Sequence, residues 1–285
     1  MLDPLSVGNC NLFLDARDLS TLTLTPAGKV LAWKDKATGL VFAAPDEARA
    51  PQYVLNSPLG PAVYFEPIHY LKAVVADWMT TQGQIGMNVH WLEQSSETFP
   101  LSSADEQSNS KYTMFYTRQV GPNYRFGMRM RNQPDVPAFN GGIEADGSNM
   151  LLNTNYSLNI RAHGIGGTSS YELWGNGVNY PPTYGSNAAM LNSWMGNVTG
   201  RDNLILGAFQ LQDSVQQTGK FYIGQAVAFS APLNTTQNAE FQDMLLNIGS
   251  TPIPEPGVVF VGMGVSLAYL SLSFSRRASR VSITR

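Results

Sequence analysis

The chain has 285 residues, a formal net charge of −3 and only 14% charged side chains, against 43% hydrophobic and 11% aromatic ones. It carries no basic stripe of the kind that follows a phosphate backbone, which excludes a nucleic-acid partner, and its apolar content excludes a disordered chain. Low charge with 26 glycines, 17 prolines and many uncharged polar residues points to an all-β extracellular domain rather than a helical cytoplasmic enzyme. The opening decapeptide MLDPLSVGNC has no basic n-region, no apolar h-region and no small-residue cleavage site, so no signal peptide is expected within this chain. Its one cysteine, Cys10, leaves the fold to be held by a core rather than by an intrachain disulfide. Short β-like runs follow. Leu12-Phe13-Leu14 leads into Asp15 and Asp18, residues 21–25 alternate with period two, Pro26-Ala27-Gly28 turns, and residues 30–33 alternate again. Residues 53–55, 62–65 and 70–71 continue the series, with a turn at 58–61.

These residues resemble the opening of concanavalin A-like, laminin-G-type (LamG) jelly-roll domains of bacterial surface proteins. The resemblance rests on Asp15, Ala16 and Asp18, on Trp33, Asp35 and Lys36, on Pro51 and Tyr53, and on Pro61, Ala62, Val63 and Phe65. It implies a two-sheet sandwich whose rim often holds calcium. That makes Asp15, Asp18 and Asp35 candidate ligands of a Ca²⁺ cofactor, although aspartates so placed also cap turns through their own backbone.

Residues 92–110 are polar and read as a long surface loop. Residues 111–118 (KYTMFYTR) and 123–131 (NYRFGMRMR) alternate around Gly121-Pro122 and predict a hairpin. Glycoside hydrolysis needs a pair of carboxylates, and the nearest string is Glu144-Ala145-Asp146. It lacks a second glutamate and sits among Gly141, Gly142 and Gly147, so it reads as a turn, and no enzyme activity is expected. His69, His90 and His163 stand apart, without metal-ligand spacing.

Residues 171–178 (YELWGNGV) resemble the L-x-x-N-G hairpin of the same jelly-roll domains, and residues 204–209 and 221–229 resemble their last two strands. A helix is predicted over 234–246, with Thr235 or Thr236 placed to cap it and Phe241, Leu245 and Ile248 as its apolar face. Carbohydrate binding needs aromatic platforms beside groups that hydrogen-bond hydroxyls. The candidates are Trp174 with Asn176, Tyr180 and Tyr184 around Pro181-Pro182, and Trp194. The same rings would serve equally as packing residues.

Residues 251–256 form a proline-rich linker, and residues 257–274 (GVVFVGMGVSLAYLSLSF) contain no charge and no proline. As a helix this span would be about 27 Å long, close to the hydrocarbon thickness of a bilayer. Arg276 and Arg277 follow it and would hold that end on the cytoplasmic side. The tripeptide Pro254-Glu255-Pro256, the apolar span and Arg276-Arg277 together resemble the PEP-CTERM sorting signal of bacterial envelope proteins. This implies an exosortase as processing partner, membrane anchoring through the C-terminal helix before processing, and a final place on the cell surface or outside the cell.

The sequence therefore predicts an all-β, concanavalin A-like jelly-roll β-sandwich over 1–250 with one short helix near its end. The linker and a single transmembrane helix in the sorting tail 257–285 come after it. Four of the 18 basic residues and one of the 21 acidic ones lie after residue 250, leaving 14 basic against 20 acidic side chains in the sandwich. The function expected is that of a non-enzymatic surface or extracellular-matrix protein binding glycan or exopolysaccharide. The competing expectations are a polysaccharide-active hydrolase or lyase on the same fold, and a self-associating structural surface protein.

Overall fold

The computed structural model describes residues 2–93, 97–135, 138–163, 171–184, 193–212, 214–216 and 219–247, without the side chains of residues 139 and 211. Pro254, Glu255, Pro256, Arg276, Arg277, the apolar span and Ile248 lie outside the described residues. Among the described residues no helix is long and apolar enough to cross a membrane.

The first alternating runs become strands β1 (Cys10–Asp15), β2 (Leu22–Leu24), β3 (Val30–Lys34), β4 (Val41–Ala43), β5 (Gln52–Ser57), β6 (Gly60–Phe65) and β7 (Leu71–Val74). The middle of the chain supplies β8 (Gly83–Glu93), β9 (Glu97–Ala104), β10 (Lys111–Val120), β11 (Asn123–Asn132), β12 (Phe139–Ala145) and β13 (Asn155–Ala162). Then come β14 (Tyr171–Gly175), β15 (Val178–Tyr180), β16 (Pro182–Tyr184), β17 (Asn203–Leu206), β18 (Phe209–Leu211), β19 (Ser214–Gln216) and β20 (Lys220–Phe229). The helix α1 (Thr235–Leu246) ends the described chain.

Among the described residues these strands make two large sheets and a separate β18–β19 hairpin. One sheet of eight strands runs β15-β14-β13-β8-β20-β6-β5, with β1 also paired to β20. The other has ten and runs β16-β12-β11-β10-β9-β17-β7-β4-β3-β2. Successive side chains of a strand point to opposite faces, so each sheet turns alternate residues toward the other. Leu12, Leu14, Phe65, Ile85, Met87 and Trp91 from the first meet Trp33, Phe42, Leu101, Phe115, Phe126 and Ile143 from the second in one dry core. Burying each such side chain is worth about 1.5–3 kcal/mol, enough to hold the two layers together without a disulfide.

The predicted hairpin over 111–131 forms with Val120 opposite Asn123. The second predicted hairpin turns at Asn176 (φ 51°) and Gly177 (φ 77°), and this pair of left-handed residues matches the twist of the strands it joins. Two expectations need correction. Residues 92–110 are not one surface loop, because β9 lies inside them, in the middle of the ten-stranded sheet. Its two buried serines are satisfied across strands: Ser102 Oγ donates to the Ala208 carbonyl at 2.7 Å and Ser103 Oγ to the Asn203 carbonyl at 2.6 Å. The helix is capped by Asn234 rather than Thr235 or Thr236. The Asn234 side chain accepts from Gln237 N at 2.9 Å while Gln237 Oε1 accepts from Asn234 N at 3.1 Å, a reciprocal pairing that satisfies two otherwise orphaned donors.

Phe241 and Leu245 seat α1 on the outer face of the eight-stranded sheet, against Phe13, Val227 and Phe229. Beneath it, Gln84 Nε2 and Asn159 Nδ2 both donate to Asn238 Oδ1, at 2.7 and 3.2 Å. The helix therefore occupies one outer face of the sandwich. The cleft lies on the other sheet.

Candidate functional site

On the ten-stranded sheet, Phe115, Phe126, Met128, Met130 and Ile143 point into the core. The period of two then sends Tyr112, Met114, Tyr116 and Arg118 of β10, Arg125, Arg129 and Arg131 of β11, and Asn140 and Glu144 of β12 to the outer face. Strand register sets their neighbours: Tyr116 faces Gly127, Gly127 faces Glu144, and Arg129 faces Gly142. Part of this face is covered. The β18–β19 hairpin lays Phe209 on Phe99 and Tyr112, with ring centroids 5.5 and 4.9 Å apart, and closes a small apolar cluster with Met114, Ala104 and Tyr116.

Beside that cluster the face stays open as a cleft of about 330 Å³ lined by Glu97, Tyr116, Arg118, Arg129, Asn140, Gly141, Gly142, Glu144, Thr183 and Tyr184, in the range of small-molecule sites. The glycines make its floor. A Cβ on Gly142 would stand 3.0 Å from the Tyr116 hydroxyl, so any larger residue would narrow the cleft over its buried phenol.

Glu144 anchors the site. Its Oε1 accepts from the Tyr116 hydroxyl at 2.6 Å and from Arg118 Nε, and its Oε2 accepts from Arg118 Nη2 at 2.7 Å. The planar guanidinium fork thus grips the carboxylate with two parallel bonds. Burial works against the Glu144 charge, but the Arg118 and Tyr116 bonds outweigh it and hold the carboxyl below the usual glutamate range. Burial, reinforced by the bond to Glu144, pushes the Tyr116 hydroxyl up, so it stays a donor. Opposite, Glu97 lies 3.7 Å from Arg129 Nη1, a looser pair with the Arg129 side chain 41% exposed.

A pH dependence follows. A carboxyl whose folded-state pKa is depressed stabilises the fold above its unfolded value, and the contribution is lost as pH falls through the folded-state value. The midpoint of urea unfolding should therefore fall more steeply below the ordinary glutamate value of 4.5 in the native chain than in Glu144→Gln. Equal slopes for the two proteins would contradict the assignment.

The residues singled out from the sequence do not gather into one platform. Trp174, on β14 of the eight-stranded sheet, donates from its ring Nε1 to Glu172 at 3.1 Å. Asn176 is spent on its turn, its Oδ1 accepting from Ser157 N at 2.8 Å. Tyr180 packs edge-on against Phe126 at 6.3 Å, on the core side. Trp194 is fully buried with its ring 6.1 Å from Tyr171, so it presents no face to a ligand, a correction to the sequence expectation. Only Tyr184 reaches the cleft, as part of its wall. Glu144 stands on β12 rather than in a turn, which begins at the next residues.

The three aspartates have separate duties. Asp15 is gripped by Arg17 at 2.9 and 2.8 Å. Asp18 pairs with Lys36 at 2.8 Å and caps a short 3₁₀ turn through Ser20 N. Asp35 is fully buried and accepts from the backbone N–H groups of Phe13, Ala37 and Thr38. Among the described residues no group of three or more His, Cys, Asp or Glu side chains could hold a metal ion. The histidines serve singly: His90 Nδ1 meets Asn155 Oδ1, and His163 Nε2 meets Glu172, both at 2.7 Å.

The cleft residues had one signal in the sequence that an aromatic criterion passes over. Residues 111–132 hold Lys111, Arg118, Arg125, Arg129 and Arg131 and no acidic side chain.

No protein-family model matches the chain, and no curated protein matches it. Among solved structures it is similar to domain 4 of AbnA, a GH43 extracellular arabinanase from Geobacillus stearothermophilus, solved in complex with arabinotriose. The TM-score is 0.53 at 9% identity, over 84% of this chain and 98% of that one. It is also similar to the CBM40 of the Ruminococcus gnavus IT-sialidase bound to α2,3 sialyllactose, with a TM-score of 0.45 at 17% identity over 60% of this chain and 83% of that one. Among the described residues the fold is a β-sandwich of two large sheets with one α-helix.

Proposed function

We propose that this chain is a non-enzymatic, exported bacterial surface or extracellular-matrix protein whose jelly-roll sandwich binds a glycan in the cleft on β9, β10, β11, β12 and β16. The observation that carries the proposal is the set of fixed polar groups around a glycine floor: the Arg118–Glu144 fork, Arg129, Glu97, Asn140 and Thr183. Sugar hydroxyls donate and accept at once, and a paired carboxylate and guanidinium offer both partners in a fixed geometry. The arabinanase domain of similar fold was itself solved with arabinotriose.

The LamG-like motifs and the tail supply the rest. Pro254-Glu255-Pro256, the apolar span and Arg276-Arg277 support export with sorting by an exosortase. Removal of residues 254–285 should release the protein from the envelope, and unchanged retention would end this part of the proposal.

An enzymic reading has one observation in its favour, the presence of two carboxylates, Glu97 and Glu144, in a single cleft. The ionised carboxylate of a glycosidase pair must be free to attack the sugar or a water, whereas both oxygens of Glu144 are taken up by Arg118 and Tyr116. A glycan array with the full chain, followed by an assay for new reducing ends on the glycans retained, separates the two. Retention without new reducing ends is the expected result. New reducing ends that vanish in both Glu97→Gln and Glu144→Gln would replace binding with hydrolysis.

A further inference from the structure

The cationic residues around the cleft are unequal in their bonding. Residues 1–250 have 14 basic side chains against 20 acidic ones, yet residues 111–132 hold five of those 14 and no acid. Arg125, Arg129 and Arg131 alternate with Phe126, Met128 and Met130, which fill the core, so all three arginines share the outer face of β11. Arg118 is committed to Glu144, and Arg125 Nη1 lies 2.9 Å from Asp146. Arg129 stands 3.7 Å from Glu97, longer than a hydrogen bond. Arg131 donates to two neutral acceptors, Gln133 Oε1 at 3.1 Å and the Asn109 carbonyl at 3.2 Å. Across the ladder the backbones of these two arginines pair with Gly142 and Asn140 of β12. Arg129, Asn140 and Gly142 all line the cleft, so Arg129 borders its open volume.

We infer that the cleft takes a saccharide bearing a carboxylate group, held by Arg129 with Arg131 beside it while its hydroxyls meet Asn140, Thr183 and the Arg118–Glu144 fork. The inference rests on the proposed glycan site and names its ligand class. A planar carboxylate matches the guanidinium fork with two parallel bonds, where a hydroxyl can make one.

The test uses the full chain and three acidic polymers, polygalacturonate, polymannuronate and hyaluronan, each beside its carboxyl-reduced neutral counterpart, with a sulfated galactan as a further arm. At least one acidic polymer should bind about tenfold or more tightly than its reduced form. Arg129→Gln should abolish that preference, Arg129→Lys should restore part of it, and Lys34→Gln, the same charge change on β3, should leave it intact. A reduced polymer bound as well as its acid, or a sulfated galactan bound more tightly than every carboxylate, would overturn the inference. If neutral glycans bind and lose affinity in Glu144→Gln while no acid preference exists, the glycan site stands and only its ligand class is wrong. If no glycan binds at all, both fall.

Discussion

Asp35→Ala is expected to lower the unfolding free energy by about 3–5 kcal/mol, a large part of what a domain possesses. Asp35 follows β3 of the ten-stranded sheet, yet its Oδ1 accepts from the Phe13 backbone N–H of β1, in the other sheet, at 2.6 Å. The same carboxylate accepts from Ala37 N and Thr38 N, both at 2.9 Å, and from the Thr38 hydroxyl. One buried side chain thus ties the two layers together and closes the loop between β3 and β4. Removing it strands the buried Phe13 N–H, at a cost of about 1–3 kcal/mol, and frees the part-buried Ala37 and Thr38 donors that close the loop. Asp35→Asn keeps one acceptor oxygen and should lose about half as much, which preserves a folded variant for comparison. Asp46→Ala, at an exposed ion pair with Arg49, should change stability by about 0.5 kcal/mol or less. Urea unfolding at neutral pH reads all three. An Asp35→Ala protein within about 1 kcal/mol of the native one would remove the staple from this account.

The second large effect concerns binding. Glu144→Gln should weaken the glycan best retained on an array by about 100-fold, because it removes the charge that fixes Arg118 and an acceptor in the cleft. Arg118→Met should do the same, and the double variant should lose little more than either single one, since the two side chains act as one unit. The Glu144 side chain is only 11% exposed, so Arg118→Met, which leaves the carboxylate without its cation, should also lower stability. Glu144→Gln leaves no buried charge and should cost affinity more than stability. Losses below about threefold in both single variants would place the ligand elsewhere on the sandwich.

The fold was legible where one face of a strand is apolar and the other polar. Whereas β1 is a short apolar run buried on both faces, strand β11 shows that alternation, with Phe126, Met128 and Met130 inward and Arg125, Arg129 and Arg131 outward. Strand β8 carries it too, with Ile85, Met87, Val89 and Trp91 inward and Gln84, Asn88 and His90 outward. Its signal is present in the sequence, although no family motif marks it. Strand β9 is different. Ser102 and Ser103 are fully buried, and the bonds that make this tolerable come from residues about 100 positions away, so no local pattern announces them.

The site was legible in its ingredients and hidden in its assembly. An aromatic criterion selects Trp174, Tyr180, Tyr184 and Trp194, of which Tyr184 reaches the cleft, Tyr180 and Trp194 serve the core and Trp174 stands on the opposite sheet. The cleft draws Glu97, Arg118, Arg129, Glu144 and Thr183 from five strands, and their adjacency follows from the strand order β16-β12-β11-β10-β9 rather than from spacing along the chain. Within that set, only the run of arginines without acids in residues 111–132 can be seen before the strands are ordered.

The most direct measurement is a crystal structure of the chain with the oligosaccharide it binds most tightly. The account predicts the sugar in the cleft, over Gly142, with hydroxyls on the Arg118–Glu144 fork and a charged substituent at Arg129. A sugar seated against Trp174 on the eight-stranded sheet, with the cleft empty, would contradict it.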